Sequence, residues 1–522
     1  MSLLVHQPWR DAARWHRSGL WRQVTLPGLL NGAARERPGG TAYIEGDAVT
    51  TWGNLRSAAA SMAHDLLTAG CARSDVVVVV LPDGPELIAV MTAAQAIGAV
   101  AAPLPHSTGA AEIAAIAGRT SARVVVADRS LPLPIPILQP GPLRHWLGGD
   151  NLPLPPAGHV PDADAVADLM FTSGTTGRPK GVMNSANTKF TALRGFLSSY
   201  ELTRHDVWGV IAPMCHNAGW LYTALPAIAT GAALVRVGRG DPERMLDLLE
   251  RHRVTITFLV PTHLSDLVLT YRRHPGRWKL SLRNVITGAA PNRAEVMRAA
   301  IEDWGITPIS MYGMTECQGN LFTRSEDPTE VITSTVGRPC PGSEVALRDP
   351  ETGEIIKQDG RTGELVTRGP TTFLGYYDDQ AATTAAFTDD GWFLSGDLGQ
   401  WTKGSMRIVG RVKEVILRGG HTLSPDAIEL AFADCEGIGE VVALGLPDDR
   451  LGERVCLGVT GTVPDRVALR AHLARKGLGP HLLPDEVRPI PELPRTVLGK
   501  PKRAQVRSLF TQPRSSPPAS LT

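Results

Sequence analysis

The segment Phe171–Val182, FTSGTTGRPKGV, gathers three glycines, the hydroxyls of Thr172, Ser173, Thr175 and Thr176, and the cations Arg178 and Lys180 into twelve positions. Glycine lets backbone N–H groups come close to an anion, hydroxyls add donors, and a cation adds charge. Such a loop can hold a polyphosphate. It is not the common nucleotide loop, in which Lys directly precedes Ser or Thr after the last glycine; here Gly181 and Val182 follow Lys180. A Gly/Ser/Thr run is also an ordinary polar surface loop, so its weight depends on the rest of the chain. Glu316 offers a hard oxygen, the donor that Mg²⁺ prefers. Asp397 sits among glycines, which alone marks only a turn. Lys500 stands in a polar segment, where lysine is ordinarily solvated.

Six strings change these readings together. FTSGTTGRPKGV resembles the phosphate loop of the adenylate-forming superfamily, which includes acyl-CoA synthetases, carrier-protein adenylation domains and luciferases. The resemblance implies that Thr172, Ser173, Gly174, Thr175, Thr176, Gly177 and Lys180 contact ATP. YGMTE at Tyr312–Glu316 is similar to the second signature, which implies that Tyr312 and Gly313 lie at adenine, that Thr315 bonds the α-phosphate, and that Glu316 helps hold Mg²⁺. Gly288-Ala289-Ala290-Pro291 resembles the small-residue wall beside the base. In GWFLSGDLG, Asp397 matches the ribose-binding Asp, with Ser395 in place of the more usual Thr. In GRVKEVILRGGHTLSP, Arg411 matches an Arg at ribose and phosphate, Lys413 stands at the hinge, and Gly419, Gly420 and His421 match the turn along the pantetheine path. In PRTVLGKPKR, Lys500 matches the lysine that reaches the substrate carboxylate and the α-phosphate, where a full charge spreads what develops at phosphorus.

The implied reaction has two steps. A carboxylate attacks the α-phosphate of Mg-ATP, giving acyl-AMP and pyrophosphate. A small domain then turns about Lys413, and a pantetheine thiol displaces AMP. ATP, Mg²⁺ and CoA are the expected cosubstrates, Lys500, Thr315, Glu316 and Lys413 the catalytic set, and an acyl carrier protein is the alternative acceptor.

Pro213–Asn217, PMCHN, resembles the family's Pro-x-x-His segment at the acyl pocket. His216 is expected near the carboxyl group. The His216-Asn217 pair resembles enzymes for 2-hydroxylated aryl acids, and the layout of 313–339 and of 19–30 follows the same subgroup and the alicyclic acid–CoA ligases. With Trp220, Met311 and Cys317 as further walls, the expected acid is cyclic and fairly bulky. Ala186 departs from many relatives, which have His there. Intact signatures leave open that only one half-reaction is run. A non-catalytic nucleotide-binding protein and a luciferase-like oxidase are the rivals; the first would be favoured by loss of Lys500, Glu316 or Asp397, and none is missing.

The elements that must carry these residues read as α/β. Val76–Leu81 is a short apolar β-branched run closed by PDGP, the mark of a strand buried on both faces. Helix Glu86–Ala99, helix Ala110–Gly118 and strand Val124–Ala127 follow, and the alternation recurs over Leu234–Val237, Arg244–Arg251 and Ile256–Val260, which argues for parallel sheets. From about Thr352 short Gly-punctuated strands suggest a small antiparallel β subdomain, and after Gly410 the order helix, strand, strand, helix suggests a compact mobile α+β domain. The expected division is 1–410 for the ATP and acid domain, 411–510 for the mobile domain, and 511–522 for a Pro/Ser-rich disordered tail. The 522 residues carry a formal net charge of +1 with 43% hydrophobic content. Nucleic-acid binding is therefore not suggested, no apolar run reaches membrane-spanning length, and no CxxC pair or secretory pattern occurs. A cytoplasmic enzyme, with a homodimer as an allowed state, is the expectation.

Overall fold

The computed structural model describes residues 11–141, 143, 152–172, 179–412, 416–418, 421–448, 450–476, 478–495 and 501–511. Ser173, Gly174, Thr175, Thr176, Gly177, Lys413, Gly419, Gly420, Lys500 and the tail beyond 511 lie outside them, and for His421 the backbone alone is described. The chain packs as two units: Met1–Val345 with Thr367–Leu394, and Ala346–Val366 with Ser395–Thr522.

The first unit holds two mixed sheets. In the seven-stranded one, Val76–Val80 lies between Val100–Pro103 and Val124–Ala127, both parallel to it. Five consecutive valines can be strand here because both faces are covered. Val77 and Val79 enter one hydrophobic cluster and Val76, Val78 and Val80 another, the period-2 alternation of a pleated strand. Burying a valine side chain contributes about 1.5–3 kcal/mol, so this strand anchors the sheet. Further along, Val166–Thr172 runs parallel to Val100–Pro103, and Lys180–Ser185 returns antiparallel to it, followed by Gly375–Tyr376. In the nine-stranded sheet, Thr307–Met314, Asn284–Thr287, Ile256–Leu259, Val207–Val210, Ala233–Arg236 and Thr41–Glu45 are parallel neighbours. Gln318–Phe322 folds back antiparallel on Thr307–Met314, which places the YGMTE turn at a sheet end.

The second unit contains a five-stranded sheet ending in the hairpin Phe393–Thr402 and Ser405–Arg411. It also contains the sheet built on Ile438–Asp448 and Gly452–Gly461, with helices Pro425–Phe432 and Arg466–Arg475. Asp465 caps helix Arg466–Arg475, accepting from the Ala468 N–H at 2.7 Å. All six cysteines, Cys71, Cys215, Cys317, Cys340, Cys435 and Cys456, are buried and unbridged. Among the described residues no helix is long and apolar enough to cross a membrane.

Candidate active site

Thr172 ends the strand that leads into the expected phosphate loop, and Lys180 opens the strand that leaves it; the two are register partners. The loop is thus held at both ends by one antiparallel pair. The Lys180 ammonium lies 4.6 Å from the centre of the Tyr376 ring, a cation–π distance. Tyr376 in turn donates its phenol O–H to Oε1 of Glu316 at 2.9 Å. Burial first, and then the Glu316 charge, push the Tyr376 phenol well above its usual range, so it stays a donor. Glu316 is 6% exposed, and its carbonyl accepts from the Phe373 N–H at 2.7 Å. A cation from the phosphate loop, an aromatic and the expected metal carboxylate therefore form one chain of contacts.

The YGMTE turn is shaped by a close backbone approach. A Cβ on Gly313 would lie 1.9 Å from the Gln318 carbonyl oxygen. Gln318 itself has φ +60°, a conformation that costs a non-glycine residue energy. Thr315 and Tyr312 are half-buried beside it. In the expected adenine wall, a Cβ on Gly288 would meet the Met311 carbonyl oxygen at 2.5 Å. Ala289 has φ +68°, and Ala290 is exposed.

Asp397 and Arg411 are register partners in the hairpin of the second unit, with Arg411 Nε 3.0 Å from Asp397 Oδ1. Ser395 positions the turn: its hydroxyl accepts from the Asp397 N–H at 3.1 Å and donates to the Leu365 carbonyl. The Ser-for-Thr departure thus keeps the hydroxyl at work.

Of the acid-wall candidates, His216 and Asn217 lie on a loop that turns sharply into a helix. The Met214 N–H donates to Asp83 Oδ1 at 2.7 Å, which anchors the loop. A Cβ on Gly219 would lie 2.3 Å from the Pro213 carbonyl oxygen, so the close pass needs glycine. The Asn217 carbonyl accepts from both Leu221 and Tyr222, at 2.8 and 3.1 Å, opening a π-helical turn over Trp220–Ala224; such turns are frequent at functional sites. Burial, and then the Arg239 charge, lower the His216 pKa to about 4, so its ring is neutral near pH 7. Trp220 and Met311 belong to the main core cluster, whereas Cys317 is enclosed by Val182, Phe373, Tyr376, Phe387 and Phe393.

Behind the wall runs a buried polar circuit that sequence reading missed. Lys189 Nζ is 3.0 Å from Asp168 Oδ2, with the two side chains 3% and 1% exposed. It also donates to Asn217 Oδ1 at 3.3 Å. Asn217 Nδ2 donates to Gln318 Oε1 at 2.9 Å, and Gln318 Nε2 to Asn184 Oδ1 at 2.7 Å. The Asn184 amide nitrogen completes no hydrogen bond of good geometry, yet with Lys189 it favours the Asp168 carboxylate. Burial outweighs both, raising Asp168 and lowering Lys189. The signal was available: Asp168 and Met170 alternate on one strand face, and Lys189 interrupts the apolar side of helix Ala186–Leu197.

Residues 30–377 match the family described as AMP-binding enzyme, and residues 427–500 the AMP-binding enzyme C-terminal domain. The chain belongs to the AMP-binding enzymes, and as an enzyme it is an acid–thiol ligase of the AMP-forming kind. It is 31% identical to 3-[(3aS,4S,7aS)-7a-methyl-1,5-dioxo-octahydro-1H-inden-4-yl]propanoyl:CoA ligase of Mycobacterium tuberculosis (strain ATCC 25618 / H37Rv), over 93% of this chain and 99% of that protein. It is 32% identical to salicyl-AMP ligase / salicyl-S-ArCP synthetase of the same organism, over 95% and 93%. Among solved structures, the ATP-bound RpMatB-BxBclM chimera B3 superposes with a TM-score of 0.82 at 25% identity, covering 93% of this chain and 99% of that one.

Proposed function

We propose that this protein is an ATP-dependent ligase that converts a cyclic carboxylic acid to its acyl-AMP and passes the acyl group to the thiol of CoA. The observation that carries the acid class is the half-buried His216-Asn217 pair beside the buried Trp220, a polar spot on an otherwise apolar wall. Two of the relatives named above act on ring-bearing acids. The salicyl relative loads a carrier protein, as its name states, which keeps a carrier phosphopantetheine as the second reading for the acceptor.

In this reading the carboxylate oxygen forms a bond to the α-phosphorus and pyrophosphate leaves. The thiol sulfur then bonds to the acyl carbon, AMP leaves, and the thiol proton passes to solvent. Thr172 and Lys180, at the two ends of the phosphate loop, hold and orient the triphosphate. Glu316 is suited to Mg²⁺: it is a hard oxygen donor, buried and fixed by Tyr376. When bound, the ion neutralises phosphate charge. Among the described residues no three ligating side chains converge, so phosphates and water would supply its remaining ligands. His216, neutral near pH 7, hydrogen-bonds the acid without adding charge. Asp397 takes the ribose hydroxyls with Arg411 beside it, and Lys500 bridges carboxylate and phosphate.

The test is purified protein with ATP, Mg²⁺ and a panel of ring and straight-chain acids, read by mass spectrometry with CoA, with a holo carrier protein, and with neither. Acyl-AMP from ring acids, and acyl-CoA once CoA is added, are expected. Acyl-AMP from straight-chain acids alone overturns the acid class, and transfer only to the carrier overturns the acceptor.

A further inference from the structure

The circuit behind the acid wall has a direction. A lysine ammonium donates and never accepts, so Lys189 determines which end of the Asn217 amide faces it. Oδ1 takes the ammonium at 3.3 Å, and Nδ2 is left facing Gln318 Oε1 at 2.9 Å. Gln318 is then oriented in its turn, with Nε2 donating to Asn184 Oδ1 at 2.7 Å. Without a donor-only group at one end, two adjoining amides could reverse together and keep their mutual hydrogen bond.

Of the five side chains, Asp168, Asn184, Lys189 and Gln318 are buried and Asn217 alone is half-buried. Its amide carries two N–H groups. One is committed to Gln318, and Oδ1 is occupied by a cation. What Asn217 keeps for a ligand is an N–H.

We propose that Lys189, held by Asp168, is a positioning residue that sets Asn217 as a hydrogen-bond donor in the acid site. The enzyme then selects acids bearing an acceptor oxygen, as an oxo, alkoxy or hydroxyl group, on the skeleton near Asn217. This rests on the reading of His216-Asn217 as acid wall. A purely structural pair would be a poor use of two buried charges: well-packed apolar residues of similar volume often replace a buried ion pair with no loss or with a gain of stability. What apolar residues cannot do is orient an amide.

The experiment compares wild type, the double variant Asp168→Leu/Lys189→Met, and Asn217→Val by ATP–pyrophosphate exchange. Substrates are matched pairs of acids with and without one acceptor oxygen, drawn from ring and straight-chain skeletons. Wild type is expected to favour the acceptor-bearing member by about 10-fold or more in kcat/KM, the scale of one directed hydrogen bond. The double variant should lose most of that preference through KM, match Asn217→Val, and change kcat/KM for the bare member by less than about threefold. Thermal unfolding confirms that it folds; if it does not, Asp168→Asn/Lys189→Met is read the same way. The proposal is overturned if wild type shows no preference, if the double variant keeps it, or if both members of a pair lose rate equally, the signature of a structural role. Exchange with straight-chain acids alone removes the cyclic-acid reading while the straight-chain pairs still decide the role of Lys189.

Discussion

His216 carries the most direct pH consequence. Its folded pKa of about 4 lies below the unfolded value, which is about 6.5 for histidine. Between those values the unfolded chain binds the extra proton, so stability rises with pH there. The contribution is fully present above about pH 6.5 and is lost as pH falls through 4, up to about 3 kcal/mol in all. Urea unfolding of wild type and His216→Gln between pH 4 and 7.5 should show a shallower acid decline in the variant; equal slopes would mean that the imidazole titrates normally. Lys500 is the sharper test of chemistry. Lys500→Ala should slow adenylation by about 10²-fold or more while sparing thioester formation from supplied acyl-AMP, because the proposed role of Lys500 is to place one charge at the reacting phosphate. Near wild-type adenylation would disprove its assignment. Both residues were singled out from motifs; the structure describes His216, while Lys500 lies outside the described residues. Asp168 and Lys189 were not singled out: no motif marks either residue, and only packing shows that they meet.

The turn between the parallel strand Thr307–Met314 and the antiparallel return Gln318–Phe322 sets Glu316 in place. Its backbone approach leaves no room for a methyl group at Gly313, since the obstacle is the Gln318 carbonyl at 1.9 Å and backbone does not yield cheaply. Gly313→Ala should cost about 1–3 kcal/mol in urea unfolding, and pyrophosphate exchange should fall by more than that loss alone explains. Wild-type values for both would show that the turn can open. The buried parallel strands were readable because runs such as Val76–Val80 have one physical solution, a strand covered on both faces. The antiparallel return was not. It depends on Gln318 at φ +60° and on Tyr222, whose hydroxyl accepts from the Gly319 N–H at 2.5 Å, and no local pattern announces a contact between residues so far apart in sequence.

At the scale of the whole molecule, the two-step reaction requires that one chain present two arrangements of its groups in turn, and the hinge expected at Lys413 is where that change would be taken up. Lys413→Pro fixes φ at the hinge. Adenylation should persist and thioester release should slow, measured as separate single-turnover steps; equal loss of both would point to misfolding. The six buried thiols give a means to watch the molecule open. Burial raises Cys71 and Cys456 to about 11 and Cys340 to about 12, and raises Cys215 and Cys435 as well, so little reactive thiolate exists near neutrality. With CoA as the proposed acceptor, a colorimetric count of its sulfhydryls should therefore meet little background from folded protein. Over longer times the labels become clocks: Cys71, Cys215, Cys317 and Cys340 belong to one packing unit and Cys435 and Cys456 to the other, so the mass of each modified peptide reports which half of the enzyme breathes first.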